Sequence, residues 1–123
     1  MGAYNWVRFD ARCPRCEASS PIKAQRHIAS SYDGDDSGRF HNRIYVVGQT
    51  MAWWPRTDRR WPSWTEENRA PSEGQEGVVR ECCYANCETC GAELYAVIEF
   101  RDLTVVRIVD VGIESLWPAD YLR

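Results

Sequence analysis

Two runs near the start of the chain alternate between apolar and polar side chains. The sequences YNWVRF at 4–9 and PIKAQRHIAS at 21–30 repeat with a period of two, which is the spacing of a half-buried β-strand. The second run places four side chains on one face: Ile22, Ala24, Arg26 and Ile28. The pattern predicts a strand on either side of residues 13–16.

Three strand patterns follow one another closely in the C-terminal part of the chain. They are VVRECCYANC at 78–87, ELYAVIEF at 93–100 and LTVVRIVDVG at 103–112. Only Arg101 and Asp102 separate the last two runs, which predicts a tight turn and an antiparallel meander. In the tail, Pro118 interrupts a helical spacing, so a short cap on the sheet is expected there.

The middle of the chain has no regular period. Turn-forming residues fill 31–42, where DGDDSG at 33–38 predicts a hairpin turn, and β-branched residues at 43–48 predict one more strand. Residues 49–77 combine tryptophan, proline, glycine and mixed charge. We expect an irregular Trp-rich insertion there, with one helical turn near SWTEEN.

Length and charge narrow the class of protein. A chain of 123 residues fits a single domain, 1–123, and its 15 basic and 18 acidic residues give a net charge of −3. That balance does not favour nucleic-acid binding, although a local basic patch would permit it. The start lacks the pattern of a signal peptide, and no apolar run reaches the length of a membrane span, so we expect a cytoplasmic protein with no membrane partner.

Four of the six cysteines form two C-x2-C pairs, each between strand patterns. Cys13 with Cys16 and Cys87 with Cys90 can aim four thiolates at one point, because a two-residue spacer allows a tight turn. Four thiolates select zinc or iron over hard cations, and zinc is favoured. We therefore predict one structural zinc per chain, the alternative being unrelated thiols or two local disulfides.

The two pairs differ in their surroundings. Gly91 follows the second pair at the position where such turns favour positive φ, whereas Glu17 occupies that position in the first pair. The 70 residues between Cys16 and Cys87 exceed the spacing of a compact zinc ribbon. The prediction is a mainly β fold: a zinc-ribbon-like antiparallel sheet with a long Trp-rich insertion and little helix.

Cys82 and Cys83 are neighbours in a predicted strand, so they point to opposite faces and cannot both join this site. At least one is expected to be a small buried residue of the sheet. The alternative is a second metal or redox pair, which would make the protein a metal- or thiol-dependent enzyme using Cys82 or Cys83 with His27 or His41. No established catalytic motif supports that alternative.

The segments MGAYNWV, CPRC and CETCG together resemble a family of small uncharacterised bacterial and phage zinc-ribbon proteins. The resemblance covers residues 1–28 and 81–100. It implies zinc on Cys13, Cys16, Cys87 and Cys90, and it implies no activity.

The insertion holds the strongest functional pattern. Four of the six tryptophans lie within twelve residues and alternate with arginines; the candidate partner-binding residues are Trp53, Trp54, Trp61, Trp64, Arg59 and Arg60. Tryptophan and arginine are enriched in interface hot spots, so we expect an adaptor that binds a protein partner. The alternatives are that the tryptophans form a buried lid, or that they stack on nucleic-acid bases.

Overall fold

The computed structural model describes residues 3–31, 40–65, 69–70 and 77–121. Within these ranges the protein is mainly β, as predicted, with two short 3-10 helices at Trp61–Thr65 and Glu114–Leu116. The seven strands are β1 (Asn5–Arg12), β2 (Ser19–Arg26), β3 (Ile44–Tyr45), β4 (Arg69–Ala70), β5 (Val78–Cys87), β6 (Glu93–Arg101) and β7 (Thr104–Ile113).

All seven strands belong to one sheet: six follow the order β3-β1-β2-β5-β6-β7, and β4 pairs with β5 outside this order. Every pair in this order is antiparallel except β1 with β3. The ten-residue strand β5 pairs with β4 along its first half and with β2 along its second half. The sheet therefore consists of a β1–β2 hairpin joined through β5 to a β5–β6–β7 meander.

The two outer strands of the sheet are linked by the segment that follows β3. The backbone N–H of Gly48 donates to the carbonyl of Val105 at 2.7 Å, and that of Met51 donates to Leu103 at 2.7 Å. Because β3 lies beside β1 and these acceptors lie at the start of β7, the sheet curls and its two edges approach each other. This curl encloses the core.

The concave face of the sheet is the core face. Alternate residues of β2 point into it, including Ile22, Ala24 and Arg26, and Leu94, Ala96 and Ile98 of β6 lie on the same side. Met51 and Trp64 from the insertion complete this cluster. The insertion thus covers the core face, and burial of its large apolar side chains stabilises the sheet.

Two details of the middle region differ from the prediction. The strand expected at 43–48 contains only Ile44 and Tyr45, because the N–H of Val46 donates to the side chain of Gln49 and not to a neighbouring strand. The short strand β4 lies inside the insertion, where no strand was predicted. The turn predicted at 33–38 lies outside the described residues.

No helix among the described residues is long and apolar enough to cross a membrane.

Candidate metal centre

The topology brings the two C-x2-C pairs together. The first pair forms the turn between β1 and β2, and the second forms the turn between β5 and β6. Because β2 and β5 pair in antiparallel register, with Ile22 opposite Cys87, both turns lie at the same end of the sheet. The 70-residue separation of Cys16 and Cys87 is therefore bridged by strand pairing.

The two turns have the same backbone hydrogen bonds. The N–H of Glu17 donates to the carbonyl of Cys13 at 2.9 Å, and the N–H of Gly91 donates to that of Cys87 at 2.8 Å. Glu17 has a φ of 62° and Gly91 a φ of 73°, so both residues are left-handed. The first turn therefore reaches the same geometry without glycine, and the backbone of Glu17 is strained.

The four sulfur atoms are arranged as a metal site requires. Those of Cys13, Cys16, Cys87 and Cys90 all lie within 4.8 Å of one another. The Sγ atoms of Cys13 and Cys90 are 3.8 Å apart, and those of Cys16 and Cys87 are 4.0 Å apart. A tetrahedral zinc with Zn–S bonds of about 2.3 Å requires S···S separations of roughly 3.8 Å. The residues therefore fit a four-thiolate zinc site.

Polar groups surround the sulfur atoms of Cys13 and Cys87. The backbone N–H of Arg15 lies 3.3 Å from the Sγ of Cys13, and that of Cys16 lies 3.5 Å from the same atom. The Sγ of Cys87 is 3.2 Å from the Oγ of Ser20. Its hydrogen bond with Ser20, together with the backbone N–H of Cys90, lowers the pKa of Cys87 to about 6. Thiolates are the species that bind metal.

Side chains outside the ligand set tie the two turns together. The hydroxyl oxygens of Ser20 and Thr89 are 2.7 Å apart, and Arg8 of β1 forms an ion pair of 2.7 Å with Glu88. No motif in the sequence marks these contacts, because each joins residues more than 65 positions apart. The strand register alone brings them together.

The ligands differ in their access to solvent. Cys13 and Cys87 are buried, whereas Cys90 is exposed and lines an open cleft of about 540 Å³ together with Arg15, Glu93 and Glu114. One side of the site is thus accessible to chelators and to oxidants.

Cys82 and Cys83 lie outside the metal centre and are buried, with 3% and 2% of their surfaces exposed. This confirms that they are small buried residues of the sheet, on opposite faces. In the thiol-enzyme alternative Cys83 would act with His27, but the carboxylate of Glu81 contacts both residues. It lies 3.4 Å from the Sγ of Cys83 and 3.6 Å from the Nδ1 of His27. Burial raises the pKa of Cys83 well above its ordinary value, so this thiol is a poor nucleophile.

The insertion divides into buried and accessible residues. Trp54 and Trp64 are buried, while Trp53 and Trp61 are partly exposed. Phe40 packs on the ring of Trp54 at 4.5 Å, and the indole N–H of Trp53 donates to the carbonyl of Trp61 at 3.1 Å. The lid interpretation is confirmed for Trp54 and Trp64. Arg59 and Arg60 are exposed on the outside of this lid.

Comparison with known proteins identifies no relative: no family profile, no curated protein and no solved structure matches the chain. The zinc-ribbon interpretation therefore rests on the four-cysteine geometry.

Proposed function

We propose that the protein is a zinc-stabilised interaction module of the cytoplasm. One zinc on Cys13, Cys16, Cys87 and Cys90 has a purely structural role in this proposal, because four thiolates leave no coordination position for water or substrate. The supporting observation is that the four sulfur atoms lie within 4.8 Å of one another where two hairpins meet. A reducing compartment keeps such thiols available for metal.

The surface that supports partner binding lies on the outside of the lid. We call Arg56, Arg59, Arg60 and Trp61 the arginine surface. The guanidinium of Arg56 stacks on the ring of Trp61 at 4.3 Å, and that of Arg60 stacks on Trp54 at 4.3 Å. These contacts hold two arginines in place, so little side-chain entropy remains to be lost when a partner binds.

The charge of this surface indicates the chemistry of the partner. Residues 56–60 carry three arginines and one carboxylate, that of Asp58, which Arg60 binds at 2.8 Å. The side chain of Arg56 is 66% exposed. Arg60 pairs with Asp58, and Arg56 lies 3.6 Å from a carboxylate oxygen of Asp102. In this proposal an acidic protein segment therefore pairs chiefly with Arg59 and packs an apolar side chain against Trp61.

A charge reversal tests the proposal. The probe is a fluorescein-labelled peptide of alternating glutamate and tyrosine, titrated with the zinc-loaded protein and followed by fluorescence anisotropy. Arg59→Glu is expected to weaken binding by about tenfold, because it places like charges together. Arg12→Glu makes the same change at an exposed position near the metal end and is expected to have little effect.

Equal weakening by both variants would mean that only net charge matters, and unchanged binding by Arg59→Glu would overturn the assignment of the surface. Trp61→Leu supplies a second variant: Trp61 is partly exposed, and leucine keeps an apolar side chain against the core cluster on which Trp61 packs. Trp64 is a buried member of that cluster, so its removal would test folding. Zinc content measured on every variant confirms that the fold is intact.

A further inference from the structure

The face of the sheet opposite the core carries a row of side chains that the strand register aligns. Trp6 of β1 lies opposite Gln25 of β2, Gln25 lies opposite Tyr84 of β5, and Tyr84 lies opposite Tyr95 of β6. These residues are consecutive in space although they are as many as 89 positions apart in the sequence, between Trp6 and Tyr95. We call this row the aromatic row.

Contacts hold the rings of the aromatic row in place. Tyr4 packs edge-on against Trp6 with ring centroids 5.4 Å apart, and Trp117 packs on Tyr84 at 4.7 Å. Tyr84 nevertheless remains 45% exposed, which is high for a tyrosine in the middle of a sheet. Tyr95 is buried, so the ordered aromatic surface that the row presents to solvent comes from Tyr84 and in part from Trp6.

A row of polar residues runs beside the aromatic row, two positions further along each strand towards the metal centre. Arg8 lies opposite Lys23, and Lys23 lies opposite Asn86. The amine of Lys23 stands 4.3 Å from the centre of the Trp6 ring. Arg8 forms a 2.7 Å ion pair with Glu88, and the same carboxylate interacts with Lys23, so the two cations of this row are partly offset by one carboxylate.

We propose that this face binds single-stranded nucleic acid. In this arrangement bases stack on Trp6 and Tyr84, which lie two strands and therefore about 10 Å apart. The amide of Gln25 lies between them and can hydrogen-bond to base edges. Lys23 lies where it can reach the phosphates of the same strand, and Asn86 beside it adds a neutral donor.

Two features favour a single strand over a duplex. Stacking on a side-chain ring needs an unpaired base with a free face, which duplex DNA does not offer. The overall charge of −3 also excludes the broad electrostatic attraction on which non-specific duplex binding depends. A flat aromatic platform with one or two cations needs neither a groove nor a large basic surface.

The test uses fluorescein-labelled oligo(dT) and oligo(U), followed by anisotropy with the zinc-loaded full chain. The expected result is binding of at least one single strand and weaker binding of a duplex of the same length. Tyr84→Ala is expected to weaken single-strand binding by roughly tenfold, as loss of one stacked base does. Lys23→Gln is expected to weaken binding and to lower the salt slope by about 0.7.

Arg59→Glu on the arginine surface is the matched control, because that surface is formed by the insertion that covers the core face. It should leave single-strand binding within about twofold of the unchanged protein. Since the two sites share no residue, this proposal and the acidic-partner proposal can fail separately. Trp6→Leu provides an independent second variant if Tyr84→Ala loses zinc or melts early.

Three results would overturn the inference. The first is equal binding by the unchanged protein and Tyr84→Ala, and the second is preference for the duplex. The third is that oligo(dT) and oligo(U) do not bind, whereas a neutral oligosaccharide binds independently of salt. If Tyr84→Ala abolishes that oligosaccharide binding, the platform is a carbohydrate site.

Discussion

Arg26 and Glu81 are both buried on the core face of the sheet, yet they form no hydrogen bond with each other. Arg26 is completely buried, and its Nε and both terminal nitrogens have no hydrogen-bond partner among the residues that the structure describes. The carboxylate of Glu81 instead accepts the N–H of His27 at 3.0 Å and the thiol of Cys83 at 3.4 Å. Burial lowers the pKa of Arg26 to about 10, and the charge of Glu81 opposes that shift.

Removing only the cation should destabilise the fold. Arg26→Met leaves the carboxylate of Glu81 as a lone buried charge, and breaking a buried pair in this way costs roughly 3–5 kcal/mol. The double variant Arg26→Met with Glu81→Gln removes both charges, while the glutamine oxygen can still accept the N–H of His27. We expect its stability to equal or exceed that of the unchanged protein.

Urea unfolding at pH 7 with saturating zinc measures these free energies, and Glu81→Gln alone completes the cycle. If the four free energies are additive, the two buried charges do not stabilise each other and this interpretation fails.

The pH dependence of the free energy of unfolding also tests the buried charge of Arg26. The pKa of Arg26 is lower in the folded than in the unfolded protein, so from about pH 10 up to the ordinary pKa range of arginine the unfolded chain binds more protons. Stability should therefore rise with pH in this window for the unchanged protein relative to the double variant. Paired urea titrations at pH 9 and pH 10.5 test the direction, and a constant difference would contradict it.

Metal removal should unfold the end of the sheet that holds the centre. Elemental analysis is expected to find one zinc per chain, and the absence of colour would distinguish zinc from iron. Chelation or Cys87→Ser should lower the melting temperature strongly, because structural zinc contributes on the order of 10 kcal/mol in small peptides. Cys82→Ala is the matched control, since it removes a buried thiol that is not a ligand.

The backbone strain at Glu17 in the first turn can be removed by substitution. Glu17 adopts a φ of 62°, and its ion pair with Arg12 is 74% exposed on both sides, so that pair contributes little. Glu17→Gly should therefore stabilise the zinc-loaded protein by about 1 kcal/mol. Gly91→Ala, which introduces the same strain in the second turn, should destabilise it by a similar amount. If urea unfolding shows that Glu17→Gly raises the free energy of unfolding and Gly91→Ala lowers it, the two turns are equivalent. Changes of the same sign would contradict this equivalence.

The extra cysteines should resist alkylation in the native state. Burial raises the pKa of Cys82 to about 12 and that of Cys83 well above its ordinary value, so neither thiol is reactive between pH 7 and pH 9. Mass spectrometry after iodoacetamide treatment of the zinc-loaded protein should find both unmodified until urea is added. Rapid native labelling of Cys83 would revive the thiol-enzyme alternative.

The sequence predicts the cluster of four cysteines and most strands well, because both follow from local spacing. The alternation at 21–30 even placed Arg26 on the face that turns out to be buried, although an arginine gave no reason to expect complete burial. The aromatic row was not predictable, because it depends on the register of four strands. Likewise, the separation of Trp64 in the core from Arg59 outside depends on how the insertion folds back.

The insertion follows β3 and ends where β5 begins, at the end of β5 far from the metal centre. Its length and composition can therefore diverge between homologous proteins without moving any of the four ligands, provided that β2 and β5 keep their pairing. For protein engineering this makes the exposed residues 56–60 exchangeable, provided that Met51 and Trp64 continue to cover the core face.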